Sequence, residues 1–274
     1  MIGNFYRKSL WNKVKKQDLK VKILDVGAAG ESAPIWKNSH GLCDFITVDP
    51  FAPDGTVDIP YGLDSDELER ELYQTDNPYC SSLYAPNIEY LQTKYNDLHI
   101  KQRKIANIKK INTKPGDDYI DLFEGLDFIK IDTQGSEHSI LEGMSKTINK
   151  HKPIMYLETW LEEVYKNAPK THQIIELLNK MDYEILYIEV GASWSVDRSN
   201  LIKKGRRQSV GMDILAMHKE TFDLTQSNSK SLLSKIIILE LYGMHSHVER
   251  FINYLIDSGC KLSKEYKLNY YSRL

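Results

Sequence analysis

VKILDVGA, at residues 21–28, is a run of mostly apolar side chains that ends abruptly in small residues. Five similar runs follow it along the chain: DFITVDP (44–50), LDFIKID (126–132), PIMYLETW (153–160), YEILYIEV (183–190) and VGMDILAMH (210–218). Between these runs, residues 136–150 and 171–181 carry apolar side chains at helical spacing, with Ser136 and Thr171 as the expected N-caps. Strands that alternate with helices predict a mainly parallel, doubly wound α/β sheet, and their continuous apolar character indicates that both faces are covered.

The composition is that of an ordinary globular protein. Of the 274 residues 41% are hydrophobic and 27% are charged, and the formal charge of −2 gives no global basic field that would favour nucleic acid. The three cysteines, Cys43, Cys80 and Cys260, form no CxxC pair, which argues against a disulfide framework or a structural zinc site. No segment has the apolar length of a signal peptide or of a membrane span, so we expect a cytoplasmic protein.

Both ends of the chain differ from the central α/β domain, which we expect at residues 21–220. Residues 1–20 form a basic arm with interleaved apolar residues, which predicts either a helix in weak contact with a membrane surface or one packed on the domain edge. Residues 221–274 predict a C-terminal helical extension of one or two amphipathic helices and a tail. The extension would pack on the sheet or on a second copy of the chain, as in a homo-oligomer.

Ligands of open parallel sheets bind beyond the carboxyl ends of the strands, which points to the residues just after each strand: 132–135, 158–160, the turn at residues 25–30, and Asp49. Small residues let a ligand approach the turn closely, and an acid about 20 residues further on accepts hydrogen bonds from ribose hydroxyls. The pair predicts an adenosine-type ligand, although a tight turn and a loop-capping Asp49 would have the same sequence. The expected binding residues are the acids and small residues of these two segments: Asp25, Gly27, Ala28, Gly30 and Asp49.

The turn disfavours a dinucleotide. The pattern G-x-G-x-x-G places glycines where this chain has Ala29 and Ser32, and Glu31 would repel a pyrophosphate. Asp25, two residues before the first glycine, suits a ligand with a cationic amino group. S-adenosylmethionine carries both the ribose and such a group, so the residues favour it over NAD.

Five blocks in this order resemble the FkbM-type S-adenosylmethionine-dependent methyltransferases: DVGAAG (25–30) with Trp36, VDP (48–50), CSSLYAPN (80–87), DDY (117–119) and, most specifically, DFIKIDTQGSEHSILEG (127–143). The resemblance covers about residues 21–218. It implies a Rossmann-like class I methyltransferase sheet of seven strands whose last strand, 210–218, is antiparallel. It also implies methyl transfer to an oxygen, often a hydroxyl of a sugar or a secondary metabolite. Glu31 departs from the second glycine that many relatives carry.

The resemblance also suggests roles for two serines. Ser81 and Ser82 match the family's serine pair, which we expect over the cofactor pocket. The other interpretation is a turn whose hydroxyls bond to the backbone.

A hydroxyl acceptor loses a proton on methylation, and a nearby carboxylate or histidine can take it. Asp132 and Glu158, each after or near the end of a strand, are the preferred catalytic residues, followed by Glu137. Glu137 also fits a structural acid at a helix N-terminus, and His138 fits a surface or hydrogen-bonded histidine. Asp132 and Glu158 have the oxygens that Mg²⁺ prefers, but no spacing signature supports a metal and none is predicted.

The remaining features leave alternatives open. Trp160, Tyr165 and Trp194 follow strands, where they either stack on a sugar ring or pack in the core. The basic cluster at residues 203–207 fits a phosphate contact, RNA or a solvated loop. The sequence thus predicts a methyltransferase for a saccharide or a small hydroxylated metabolite. An RNA methyltransferase and a non-catalytic scaffold are the alternatives.

Overall fold

The computed structural model describes residues 20–28, 34–36, 42–50, 55–95, 97–196, 206–226 and 229–259. Within them lie nine strands: β1 Val21–Val26, β2 Cys43–Val48, β3 Gly62–Asp64, β4 Leu68–Thr75, β5 Ile105–Pro115, β6 Phe128–Ile131, β7 Ile154–Trp160, β8 Tyr183–Trp194 and β9 Gln208–His218. The same residues contain seven α-helices: α1 Ile88–Lys94, α2 Asp97–Gln102, α3 Glu137–Gly143, α4 Ser145–His151, α5 Thr171–Lys180, α6 Ser229–Leu241 and α7 His245–Asp257.

The central sheet has the order β2-β1-β6-β7-β9-β8. The first four strands of this order are parallel, and β9 is antiparallel to both of its neighbours. A mostly parallel α/β sheet and an antiparallel strand over 210–218 are therefore confirmed. The described part of the sheet has six strands rather than the seven that the resemblance implies. At the β2 edge only an isolated bridge from Val48 to Ile59 is present.

A second, three-stranded sheet with the order β3-β5-β4 was not predicted from the sequence. Its long strands β4 and β5 pair antiparallel, and most of their residues are exposed or half-buried. Leu63 and Leu72 of this sheet are buried and face the carboxyl-end region of the central sheet, where they line a cleft. The small sheet therefore supplies one wall of the cleft.

Helices cover both faces of the central sheet. On one face α6 and α7 pack against side chains of β1, β6 and β9 such as Ile23, Phe128 and Leu215. On the other face α3, α4 and α5 pack against the alternate residues of the same strands, among them Leu24 and Ile129. No helix among the described residues is long and apolar enough to cross a membrane. Residues 1–19 and 260–274, which include most of the basic arm, the tail and Cys260, lie outside the described residues.

The predicted helix over 136–150 is interrupted at Met144, which separates α3 from α4. A Cβ at Gly143 would lie well under 3.0 Å from the carbonyl oxygen of Asp64, so α3 ends where it touches β3. The next helix begins on a new cap, because the carboxylate of Asp117 accepts hydrogen bonds from the backbone N–H groups of residues 146 and 147 (3.0 and 2.8 Å). One periodic pattern therefore becomes two short helices.

The two predicted N-caps fare differently. Ser136 is the N-cap residue of α3, as predicted, but its hydroxyl makes no capping hydrogen bond. Thr171 is the first residue of α5 rather than its cap, and its hydroxyl pairs with that of Thr159 at 2.9 Å. In its place the side chain of Gln173 accepts a hydrogen bond from the backbone N–H of Lys170 (2.9 Å). A buried side chain of the sheet, that of Thr159, therefore engages the Thr171 hydroxyl that would otherwise cap α5.

Candidate active site

The turn after β1 joins the ends of three strands. Gly27 has φ +82°, its N–H donates to the carbonyl oxygen of Val48 (2.9 Å), and a Cβ there would lie well under 3.0 Å from the carbonyl oxygen of Asp132. Only glycine satisfies both the backbone angle and the close approach. Ala28 is buried behind this turn, and Gly30 lies outside the described residues.

A cleft opens beyond the carboxyl ends of β1, β2 and β6. Five of the predicted site residues line it: Gly27, Asp49, Ser81, Ser82 and Asp132. Asp49 follows β2, is only 5% exposed, and its N–H donates to the carbonyl oxygen of Ile59 (3.3 Å). The rest of the wall is largely apolar: Val26, Val48, Leu63, Leu72, Leu83 and Ile140. A buried acid beside an apolar slot is what a ribose and an attached aromatic base require.

The serine pair both lines the cleft and bonds to the backbone, so its two interpretations are compatible. Ser82 Oγ donates to the carbonyl oxygen of Gln134 (2.9 Å) and accepts a hydrogen bond from the N–H of Tyr84 (2.9 Å). Ser81 Oγ accepts one from the N–H of Thr75 (3.1 Å). These bonds tie the segment around residues 81–84 to the loop after β6.

Glu137 fixes the loop after β6 through hydrogen bonds to its carboxylate. Its Oε1 accepts hydrogen bonds from the N–H and hydroxyl of Thr133 (3.0 Å each) and from the N–H of Gly135 (3.1 Å). The side chain is fully buried and does not line the cleft. Burial raises the pKa of this carboxyl to about 7, against the lowering effect of the N–H donors. The loop also holds Gln134 at φ +62°, a left-handed conformation that is uncommon outside glycine.

Carboxylates gather around Lys130 on one face of the central sheet, at the edge of the cleft. Lys130 Nζ lies 3.4 Å from Asp25 Oδ1 and 3.5 Å from Asp132 Oδ2. Burial acts to lower the pKa of Lys130, but the carboxylates of Asp132, Asp25 and Glu158 raise it on balance. Lys130 therefore lies among three of the predicted site residues, Asp25, Asp132 and Glu158. Asp25 is 2% exposed and does not line the cleft, whereas the Asp132 side chain is 24% exposed.

Glu158 sits directly opposite Asp213 across the antiparallel pair of β7 and β9. Burial first, and then the charges of Asp132 and Asp213, raise the pKa of Glu158 far above its ordinary range. Burial likewise raises the pKa of Asp213, whose carboxylate accepts a hydrogen bond from the Tyr156 hydroxyl (2.8 Å). Like charges opposite each other are destabilising, and a proton on Glu158 removes that repulsion.

The cleft is also lined by four residues within or near the sequence motifs: Thr133, Gln134, Ser136 and Tyr79. Thr133 and Gln134 lie in the segment after β6 that the sequence analysis singled out, whereas Ser136 and Tyr79 were not predicted to belong to the site. Ser136 Oγ is buried and has no hydrogen-bond partner in the described residues. The position of Ser136 in the block at 127–143, shortly after β6, was the available signal.

The three aromatic residues after the strands are buried in an apolar cluster and do not project into solvent. Trp160, Tyr165 and Trp194 are 8%, 1% and 6% exposed and form a third apolar cluster with side chains such as Leu91 and Val210. His138 is half-buried, with Nδ1 3.2 Å from the carboxylate of Glu142. In the basic cluster, residues 203–205 lie outside the described residues, and Arg206 and Arg207 are exposed.

The fold and the cleft define a Rossmann-like α/β domain with a cleft at the carboxyl edge of its sheet. The family model for the methyltransferase FkbM domain matches residues 27–185, more than half of the chain. The chain therefore belongs to the FkbM methyltransferase family, as its sequence blocks predicted. No curated protein matches it.

Two solved structures are similar to the chain at low identity. A methyltransferase FkbM from Methylobacillus flagellatus KT is 16% identical with a TM-score of 0.39, and the match covers 77% of this chain and 45% of that one. A SAM dependent methyltransferase from Aquifex aeolicus is 12% identical with a TM-score of 0.30, and that match covers 76% of this chain and 88% of the other. The chain thus spans less than half of the Methylobacillus chain.

Proposed function

We propose that this chain is an S-adenosylmethionine-dependent methyltransferase that methylates a hydroxyl oxygen of a saccharide or a small metabolite. The observation that carries the proposal is the cleft at the carboxyl edge of the sheet, where the Gly27 turn, the buried Asp49 and the loop after β6 meet. Family membership over residues 27–185 supports the same reaction class.

The residues around the cleft fit the cofactor. Asp49 would accept hydrogen bonds from the ribose hydroxyls, the apolar wall would hold the adenine, and Ser136 has a buried hydroxyl that lacks a partner within the protein. Gly27 and the Ser81–Ser82 pair would border the ligand. When bound, S-adenosylmethionine supplies an electrophilic methyl group on a sulfonium. Asp25 is buried, paired with Lys130 and not part of the cleft lining, so it would support the turn rather than contact the cationic methionine end.

Asp132 is the carboxylate that we assign to proton removal. It lines the cleft and its side chain is 24% exposed, so an acceptor hydroxyl can reach it. The hydroxyl proton would pass to Asp132 Oδ as the methyl group leaves the sulfur of the donor, which becomes a neutral thioether, and bonds to the acceptor oxygen. Lys130 Nζ, 3.5 Å from Asp132 Oδ2, supplies the counter-charge of this carboxylate.

Glu158 and Glu137 have supporting roles in this proposal. Because the pKa of Glu158 is raised, this residue holds its proton near neutral pH and donates toward Asp132 instead of accepting a proton. Glu137 is a positioning residue, since its carboxylate accepts hydrogen bonds from the backbone N–H groups of the loop that carries Asp132. Alignment of donor and acceptor by such a rigid loop supplies much of the catalysis of an in-line displacement.

Calorimetric titration with S-adenosylhomocysteine, with NAD as the comparison ligand, tests the proposal. We expect micromolar binding of S-adenosylhomocysteine alone. Asp49→Ala should abolish the binding without unfolding the protein, whereas Asp44→Ala, an exposed acid at the opposite end of β2, should bind like the wild type. A folded wild-type protein that does not bind S-adenosylhomocysteine would refute the proposal, and an Asp49→Ala variant that binds normally would refute the assignment of the site.

A further inference from the structure

Arg103 is a buried cation surrounded by aromatic rings. It directly follows α2 and is only 4% exposed. Its guanidinium carbon lies 4.7 Å from the ring centre of Trp194, 5.3 Å from that of Trp160 and 5.8 Å from that of Tyr165. Three rings compensate part of the cost of removing the charge from water, because the faces of aromatic rings attract cations.

Among the residues that the structure describes, the charge of Arg103 has no anionic partner. In the part of the chain that the structure describes, no carboxylate forms an ion pair with it, and its one hydrogen bond to the protein backbone is a long contact (3.5 Å) with the carbonyl oxygen of His99. Its Nε is buried and unbonded. Glu162, which follows shortly after Trp160 in the chain, already accepts hydrogen bonds from Tyr90, Lys94 and Gln208. A buried cation without an anion is costly, so the arrangement calls for an external one.

Arg103 lies near the same sheet edge as the proposed active site. Trp160 and Trp194 end β7 and β8, which run parallel, so the cage stands at the same sheet edge as Asp132. The Tyr165 hydroxyl lies 3.0 Å from Gln134 Oε1, and Gln134 Nε2 donates to Asp132 Oδ1 (2.9 Å). Two side chains therefore connect the cage to the proposed base.

Arg207 is a second cation near this cage, and it acts on His99. His99 stacks on Trp194 with ring centres 4.2 Å apart. Its pKa is lowered to about 4, first by burial and then by the charges of Arg103 and Arg207. The imidazole is therefore neutral at physiological pH, and the exposed Arg207, from the basic cluster that the sequence singled out, lies near the cage.

We propose that Arg103, with Arg207 at the rim, binds an anionic group of the methyl acceptor, a phosphate or a carboxylate. A guanidinium presents a planar fork of N–H donors that matches both groups. The inference rests on the proposed methyltransferase function and narrows its substrate class to acidic or phosphorylated small molecules.

The test titrates the full-length protein, with and without S-adenosylhomocysteine, with three probes: glucose 6-phosphate, glucuronate and neutral glucose. We expect at least one charged probe to bind about tenfold more tightly than glucose, and Arg103→Gln to abolish that preference. Arg103→Lys keeps the cation among the rings but loses the fork, so it should fold and keep a reduced preference for the charged probe, about threefold over glucose. Glucose 6-phosphate and glucuronate separate a phosphate site from a carboxylate site.

Arg250→Gln is the matched control, because Arg250 also stacks on a ring, that of Phe222, and bonds to a backbone carbonyl, but on α7. It should keep the preference for charged probes. Equal binding of all three probes, or a preference that survives both Arg103 variants, would overturn the inference even if S-adenosylhomocysteine binds normally. Tighter binding of a single-stranded RNA, steeply salt-dependent and unaffected by Arg103→Gln, would also overturn it. Failure of S-adenosylhomocysteine to bind the wild type would instead refute the proposed function.

Discussion

Gly27→Ala places one methyl group at the joint between β1 and the loop after β6. The new Cβ would lie well under 3.0 Å from the carbonyl oxygen of Asp132 and 3.0 Å from its carbonyl carbon, and φ at this position is +82°. Neither group can turn away, because both are backbone. The two segments would have to separate by roughly 1 Å to restore ordinary contact distances.

Two costs add at this position. An L-residue in the left-handed region costs about 1–2 kcal/mol, and forcing extra volume into a packed site costs about 1–3 kcal/mol. The free energy of unfolding should therefore fall by about 2–5 kcal/mol, a large part of the 5–15 kcal/mol typical of a domain. Since the movement displaces Asp132 and opens the cleft, the affinity for S-adenosylhomocysteine should fall by about tenfold or more.

Urea unfolding of Gly27→Ala and Gly125→Ala separates these costs. Gly125 has a similar angle, φ +75°, but nothing lies within 4 Å of its Cβ position. This control should lose only the conformational part, about 1–2 kcal/mol, and should bind S-adenosylhomocysteine like the wild type. If Gly27→Ala lost no more stability than Gly125→Ala and bound equally well, the close approach would not hold the cleft together.

Two further predictions follow from the carboxylates and hydroxyls. The raised pKa of Glu158 means that the unfolded chain ionises first, so the free energy of unfolding falls as the pH rises from about 5. In urea unfolding across pH, Glu158→Gln should flatten this fall, by up to about 1.4 kcal/mol per pH unit, whereas exposed Glu69→Gln should leave it unchanged. Ser82→Ala leaves two backbone groups without their hydrogen-bond partner and should lower the free energy of unfolding by about 1–2 kcal/mol. Ser136→Ala should lower it by under about 0.5 kcal/mol but should weaken S-adenosylhomocysteine binding. Equal losses of stability in the two serine variants would contradict the hydrogen-bond assignment.

The central sheet was predictable because its strands are buried on both faces. A parallel strand covered by helices reads as a continuous apolar run, as in Val21–Val26 and Ile154–Trp160, and short runs of that kind bounded by turns have few other structures open to them. The residues that end such strands meet at one edge, which placed Asp49 and Asp132 correctly beside a common cleft.

The small sheet was missed for the opposite reason. Strands β4 and β5 are charged and mostly exposed, so their stability comes from pairing with each other rather than from burial. Such a pattern has little hydrophobic contrast from one residue to the next, and cross-strand pairs such as Lys110 with Glu69 join positions far apart in sequence.

The site also depends on a residue that looked like an ordinary strand position. Lys130 is in register with Asp25 on β1 and with Tyr156 on β7, so its ammonium group lies where the carboxylates converge. With Glu158 protonated, the charges of Asp25 and Asp132 face one buried cation. Lys130 thereby compensates part of the cost of burying the two carboxylates. A lysine inside an apolar strand thus supplies the counter-charge of Asp132 at the edge of the cleft. Its importance depends on pairing across 105 residues, which no local pattern contains.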